Sequence, residues 1–220
     1  MKNVRKVLLL VLCAVLLVCA SVAGTVAYLT SKTGVVKNTF TVGNVQILLD
    51  ETDTDTSNTV IPNVELSAGG RDHQNKYHLL PGKEYAKDPI VTVKAGSDKC
   101  YVFVKVDNQI KGIETAETAK QVAEQMEAND WVQLEVGGVK VEGVWYYAGT
   151  KLSADVAASD ISLPVFANFT IAGTVDNDTL AAYANKTITI QAYAIQASGF
   201  ADAATAWAAA PLADWLTANQ

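Results

Sequence analysis

The chain has 220 residues, half of them hydrophobic, and a formal net charge of −6. This length and hydrophobic content are enough for one domain with its own core, which excludes a wholly disordered protein. The acidic balance disfavours nucleic acid and anionic lipid headgroups as partners, because both repel a negative surface.

The N-terminus has the layout of a secretory signal peptide. Three positive charges within Met1–Lys6 precede the unbroken apolar run Val7–Val18. Thr25 and Ala27 then occupy the −3 and −1 positions, where a signal peptidase accepts small residues. We predict cleavage after Ala27, which makes Tyr28 the first residue of a secreted chain. This removes three basic residues and no acidic ones, leaving 14 basic against 23 acidic residues and a formal charge of −9.

This segment has two alternative fates. An uncleaved anchor is the first, because the apolar stretch from Val7 through Leu29 is about long enough to span a bilayer. Attachment of a lipid at Cys19 is the second, and it is disfavoured because Val18 stands where a lipobox has a small residue. Cleavage remains the prediction.

The segment that follows the cut is a candidate for strand donation between subunits. Tyr28–Val36 is short and contains no obvious turn that would fix it to the body of the protein. Its apolar residues are Tyr28, Leu29, Val35 and Val36. Such a segment can add to the exposed sheet edge of the next subunit. A frayed terminus without a partner is the alternative.

Most of the remaining chain alternates with the period of two that is typical of β-strands. Predicted strands are Thr39–Leu49, Ile90–Lys94, Cys100–Asp107, Trp131–Val136, Val139–Ala148, Leu163–Ala172 and Thr187–Ala197. In Cys100–Asp107 the even positions are apolar, which predicts one buried face. A β-bulge is expected at Gly43-Asn44, where the alternation changes phase. Gly137-Gly138 predicts a tight hairpin turn.

Helical patterns occur in two places. Ile113–Asn129 is rich in helix-forming residues and has an apolar face of Ala119, Val122, Ala123 and Met126. Ala201–Leu216 contains Trp207, Leu212, Trp215 and Leu216, is interrupted by Pro211, and is expected to pack its aromatic side on the sheets. The prediction is a mainly β protein, an antiparallel β-sandwich of jelly-roll type over residues 28–200 with one helical insertion, followed by a helical tail at 201–220.

The two histidines do not form a recognisable metal motif. His73 and His78 lie five residues apart, with Asp72 beside the first. That spacing places them on opposite faces of a strand, and the His-Glu-x-x-His helix of zinc peptidases is missing. We interpret them as solvated loop residues and predict no metal site and no cofactor.

The acidic run Asp50, Glu51, Asp53 and Asp55 has two interpretations. Clustered carboxylates suit calcium, which takes six to eight oxygen ligands. The run lacks the spacing and the glycine of a calcium loop, so a solvated acidic loop over Asp50–Thr59 is preferred. A second loop is predicted at Asn63–Lys76.

No catalytic residues are predicted. The chain has no Gly-x-Ser-x-Gly motif, phosphate loop or dinucleotide fingerprint. Cys100 is the one cysteine left after cleavage, so it has no intramolecular disulfide partner. Its parity matches the apolar positions of its strand, which indicates a buried, inert side chain.

Several short segments together resemble a family of exported proteins. Gly24–Thr30 and Asn38–Val45 resemble the processing region and first strand of proteins cleaved by the alternate, SipW-type signal peptidase, which include TasA and camelysin. The later segments that are similar to this family are Leu80–Lys83, Cys100–Val106, Trp145–Tyr147, Leu163–Phe166 and Ile190–Gln196. The resemblance implies a jelly-roll subunit that is secreted by a Gram-positive bacterium and assembles into fibres or coats the cell surface.

These observations predict a secreted, non-enzymatic structural protein of an extracellular matrix or surface fibre. Its expected partners are other copies of itself, other matrix proteins and, during export, an alternate signal peptidase. Two alternatives stay open. One is a camelysin-like surface metallopeptidase, which would need His73 and His78; the other is a monomeric module that binds a cell-wall glycan or host ligand through its loops.

Overall fold

The computed structural model describes residues 44–52, 54, 71–72, 75–156 and 158–210. These residues form a mainly β structure with antiparallel sheets, as predicted. The strands are β1 (Ile47–Thr52), β2 (Arg71–Asp72), β3 (Glu84–Ala86), β4 (Ile90–Val93), β5 (Cys100–Asn108), β6 (Trp131–Val136), β7 (Val139–Tyr147), β8 (Ile161–Pro164), β9 (Asn168–Thr170) and β10 (Ile188–Gln196). The α-helices are α1 (Val122–Ala128), α2 (Asn177–Ala182) and α3 (Ala203–Ala209).

The strands form two four-stranded sheets and one two-stranded sheet. The first sheet has the order β2-β1-β4-β8, the second has the order β10-β5-β7-β6, and β3 pairs with β9. Buried residues of both large sheets share one hydrophobic cluster, which includes Val91, Val93, Val102, Val104 and Leu163. None of the described helices is long and apolar enough to cross a membrane.

The predicted strand Leu163–Ala172 is interrupted. Residues 161–164 pair with β4, and residues 168–170 pair with β3. The two pairings have the same register, because backbone hydrogen bonds continue across the gap between them. The Lys87 N–H donates to the Ala167 carbonyl at 3.2 Å, and the Val165 N–H donates to the Pro89 carbonyl at 2.9 Å. Pro89 has no N–H to donate to the ladder, which accounts for the irregular stretch.

The start of the chain's β structure differs from the prediction. The predicted strand Thr39–Leu49 begins at Ile47 among the described residues and continues to Thr52. The predicted acidic loop therefore begins as a strand, because Glu51 and Thr52 pair with β2. Asn44 is not in a strand, and Gly43 lies outside the described residues, so the bulge stays a prediction.

The sequence predicted one buried face for β5, but Phe103 on the other face is buried as well. Val102, Val104 and Val106 face the main core as expected. Phe103 on the opposite face is also fully buried, because α3 covers that side of the sheet. The rings of Phe103 and Trp207 lie 5.1 Å apart, so the expected packing of the C-terminal helix on the sheet is confirmed for Trp207.

The hairpin prediction is confirmed. Gly137 and Gly138 join β6 to β7, and both have positive φ angles, 61° and 80°. Two consecutive positive φ angles are the conformation of a type I′ turn, whose twist matches the flanking strands.

The predicted helix Ile113–Asn129 is much shorter in the structure. Only Val122–Ala128 is α-helical, after two 3₁₀ turns at Lys111–Ile113 and Thr118–Lys120. Thr115 donates its backbone N–H to the Thr170 carbonyl at 2.9 Å instead of entering a helix. Tertiary pairing with the end of β9 thus overrides the local helix propensity.

The other helices have clear caps. The Asp176 carboxylate accepts a hydrogen bond from the Thr179 N–H at 2.8 Å and begins α2, which the sequence analysis missed. Asp202 begins α3 in the same way by accepting from Thr205. Helix α3 ends at Ala209, because Ala210 precedes a proline and is extended. The predicted C-terminal part, with Leu212, Trp215 and Leu216, lies outside the described residues.

Candidate functional site

A cavity of about 920 Å³ lies beside β1 of one sheet and β10, an end strand of the other. Strand β1, residues 75–79, helix α2 and the first half of β10 supply most of its wall. The apolar part of the wall includes Leu49, Tyr77, Leu79, Phe169, Ile188 and Ile190. A volume of this size suits a small ligand or a short stretch of extended chain.

The cavity borders the outer edge of β10, which is the end strand of its sheet among the described residues. Antiparallel partners alternate between residues that exchange two hydrogen bonds and residues that exchange none. The Gln109 N–H donates to the Thr187 carbonyl at 3.0 Å, and the Ala197 N–H donates to the Lys99 carbonyl at 2.8 Å. The odd-numbered residues of β10 are therefore the ones whose backbone groups bond to β5. The backbone groups of the even positions therefore point outward, and among the described residues no strand pairs with this edge. These positions are Ile188, Ile190, Ala192, Ala194 and Gln196.

A cluster of buried polar side chains closes one end of the cavity. Lys87 Nζ lies 2.5 Å from Glu51 Oε2, and both side chains are less than 10 % exposed. Asn75 Nδ2 donates to the other oxygen of the same carboxylate, Glu51 Oε1, at 2.9 Å. Asn75 Oδ1 accepts from the backbone N–H of Thr54 at 2.7 Å and from its hydroxyl at 3.2 Å. We call these four residues the Glu51 cluster.

Aromatic side chains lie next to the Glu51 cluster. Tyr77 packs edge-on against Tyr85 and Phe169, with ring centroids 5.9 and 5.1 Å away. The pKa of Tyr77 is raised far above its ordinary value, first because the phenol is removed from water and second because the Glu51 carboxylate is near. Its hydroxyl donates to the Ala86 carbonyl at 2.9 Å, which anchors residues 75–79 to β3.

The Glu51 cluster was not predicted, although the alternation of buried and exposed positions along the strands indicated that two of its residues face the core. Glu51 shares its parity with Ile47 and Leu49, which pack on the core. Lys87 continues the buried alternation of Tyr85, Val91 and Val93. A charged residue in a core-facing position needs a buried partner, because an unpaired charge is costly there. Nothing in the sequence indicated Asn75 or Thr54.

The acidic-loop interpretation is therefore wrong for Glu51. This residue lies in β1, is 5 % exposed and pairs with Lys87, whereas a solvated loop carboxylate would be exposed. Asp50 also lies in β1, and Asp53 and Asp55 are outside the described residues. The described part of the chain contains no group of three or more histidine, cysteine or acidic residues placed to hold a metal ion.

The remaining predicted residues fall into two groups. His78 is exposed and Cys100 is buried, both as predicted. Burial raises the pKa of the Cys100 thiol to about 11, and the nearby Asp98 contributes to the shift. The residues outside the described ranges are His73, the cleavage-site residues Thr25, Ala27 and Tyr28, and the donor-segment residues Leu29, Val35 and Val36.

Comparison with known proteins adds no relative: no family model, no curated protein and no solved structure matches this chain.

Proposed function

We propose that this protein is a secreted, non-enzymatic structural subunit of an extracellular matrix or cell-surface fibre. Its N-terminal layout supports export, and its resemblance to the TasA and camelysin group supports a structural role and processing by an alternate signal peptidase. We further propose a jelly-roll connection of the strands, for which the two antiparallel four-stranded sheets are the supporting observation.

The open edge of β10 beside the cavity is the observation on which this proposal rests. Five outward backbone positions along the nine-residue strand can accept a further antiparallel or parallel strand. The apolar wall next to them, formed by Leu49, Ile188 and Ile190 among others, can bury alternate side chains of the incoming strand. An added strand would thus gain both backbone hydrogen bonds and apolar contact.

The proposed donor is Tyr28–Val36 of another subunit. This segment has nine residues, the same length as β10, and apolar residues at both ends. A donor at one place on the subunit and an acceptor at another make a head-to-tail contact, which does not close and therefore builds a filament. Cleavage after Ala27 would act as the switch, because a tethered precursor cannot insert its end.

Filling the cavity tests the acceptor. Ala181 and Ala182 are adjacent exposed residues of α2, but only Ala181 lines the cavity. We expect Ala181→Trp to abolish filaments in electron microscopy and light scattering of the mature protein, because the indole occupies the space of the incoming strand. Ala182→Trp is the matched control and should form filaments like the unmodified protein.

Removing Tyr28–Val36 tests the donor. A folded, strictly monomeric truncated protein would support strand donation, and filaments equal to those of the full mature chain would rule it out. N-terminal sequencing of the secreted protein should begin at Tyr28. A start more than three residues away, or retention of Met1, would contradict the cleavage prediction.

A monomeric binding module is the second candidate, because the same cavity has the volume of a ligand site. In that case the mature protein should sediment as a monomer at high concentration and bind purified cell wall. Ala181→Trp would then reduce wall binding, while Ala182→Trp would not.

A further inference from the structure

We propose that Lys87 and Asn75 join through an intramolecular isopeptide bond, with Glu51 as the proton-transfer residue. The lysine nitrogen and the asparagine amide nitrogen each contact a different oxygen of this one carboxylate, at 2.5 and 2.9 Å. The nucleophile and the leaving group of an amide exchange are thus held by a single acid–base group. This bond is independent of the fibre role proposed above.

The hydrogen bonds of Asn75 prepare its carboxamide for attack. Its Oδ1 accepts from the Thr54 backbone N–H at 2.7 Å and from the Thr54 hydroxyl at 3.2 Å. These two donors polarise the carbonyl and stabilise the negative charge that develops on the oxygen when a nucleophile adds to the carbon. The Thr52 carbonyl accepts a second bond from Nδ2 at 2.9 Å and keeps the amide in this orientation.

The reacting groups lie in a poorly solvated place. Glu51, Thr54 and Lys87 are between 5 and 7 % exposed, and the Tyr77 side chain lies near Glu51 and Thr54. One proton of the Lys87 ammonium must pass to the Glu51 carboxylate before the nitrogen can attack. The short Lys87–Glu51 contact provides the path for that proton.

The step balances without any added reagent. Lys87 Nζ gives one proton to Glu51 and attacks Asn75 Cγ, so that the Nζ–Cγ bond forms and the carbonyl electrons move to Oδ1. Glu51 then donates that proton to Nδ2, the Cγ–Nδ2 bond breaks, and ammonia leaves. The proton still in excess on Nζ passes through Glu51 to the ammonia, which departs as ammonium and leaves a neutral amide and an ionised Glu51.

Intact-mass measurement of the folded, purified protein tests the proposal directly. The bond makes the chain lighter by one ammonia, about 17 Da. Trypsin should then yield the peptides Asp72–Lys76 and Glu84–Lys94 as one joined species, with cleavage after Lys87 blocked. A full-mass protein after prolonged incubation of the folded chain would overturn the proposal. So would a loss of ammonia with these two peptides found separately.

Three variants identify the roles of the residues. Glu51→Gln keeps a hydrogen-bonding side chain but cannot take the proton, so the mass loss should disappear. Asn75→Asp should lose one water, about 18 Da, because a carboxylic acid can also form the amide. Lys76→Ala, which alters the neighbouring exposed lysine, should still lose ammonia. Circular dichroism confirms that each variant is folded, and an unchanged loss of ammonia in folded Glu51→Gln would remove Glu51 from the mechanism.

Discussion

The two ends of the pair of four-stranded sheets are closed in different ways. On one side, β6 is the end strand of its sheet and lies near β8, the end strand of the other. Trp131 of β6 is fully buried and donates its indole N–H to the Pro164 carbonyl of β8 at 2.7 Å. On the other side, β1 and β10 both line the cavity of about 920 Å³.

Helix α1 completes the closed side. The Gln125 side chain donates to the Asn168 carbonyl at 3.0 Å and accepts from the Ala167 N–H at 3.0 Å. Asn129 donates to the Val165 carbonyl at 3.2 Å. Side chains thus satisfy backbone groups in the irregular stretch between β8 and β9, where the ladder is interrupted. One edge is covered by side chains from within the subunit, whereas no described strand pairs with the outer edge of β10.

Truncating one leucine to alanine on each side should give the largest difference in the free energy of unfolding. Leu163 of β8 is fully buried in the core, whereas Leu180 of α2 is only partly buried and lines the cavity. Leu163→Ala should lower the free energy of unfolding by about 2–5 kcal/mol, because it leaves an empty space in a packed core. Leu180→Ala should cost about 1 kcal/mol, because its site is already open.

Urea denaturation of the two leucine variants checks this prediction. The midpoint should fall much further for Leu163→Ala than for Leu180→Ala at an unchanged slope. Equal losses would mean that the β1–β10 side is packed as tightly as the core, and the contrast between the sides would be wrong.

Replacing one glutamine with alanine on each side should give the next largest difference in stability. Gln125→Ala removes the hydrogen bonds to the Asn168 backbone and should cost about 1–3 kcal/mol, because these partly buried groups lose their partner. Gln109 makes only exposed hydrogen bonds near the start of β10, so Gln109→Ala should stay within about 0.5 kcal/mol. Thermal unfolding of both variants measures the difference, and a larger shift for Gln109→Ala would reverse the argument.

The smallest expected effect concerns Cys100. Cys100→Ala should cost about 1 kcal/mol and keep the function, and a thiol reagent should modify the folded wild-type protein slowly. Rapid labelling without denaturant would show that the core between the sheets is accessible.

The raised pKa of Cys100 also predicts a pH effect. Burial holds the thiol neutral in the folded state up to a pKa of about 11, against 9.0 for an unperturbed thiol. The stabilisation is fully present below pH 9, where both states hold the proton, and it is lost as the pH rises towards 11. The free energy of unfolding should therefore fall less between pH 9 and 11 in Cys100→Ala than in the wild type. Equal slopes would contradict the assignment.

The sequence pattern predicted strands most accurately where the paired strands are neighbours in the chain. Trp131–Val136 and the Gly137-Gly138 turn were predicted as they occur, because a short hairpin depends on neighbouring residues only. Ile113–Asn129 was predicted too long, since the pairing of Thr115 with Thr170 joins residues far apart in the chain. The burial of Phe103 was missed for a similar reason, because its covering helix begins a hundred residues later.

The sequence by itself determined two features of the protein: the alternation that makes a mainly β structure, and the core-facing parity of Cys100. These are properties of residues and their near neighbours. Only the tertiary structure decided that Glu51, Thr54, Asn75 and Lys87 meet, and that the outer edge of β10 borders a cavity. Both results depend on which strand lies next to which, and that arrangement is set by packing the two sheets over one shared core.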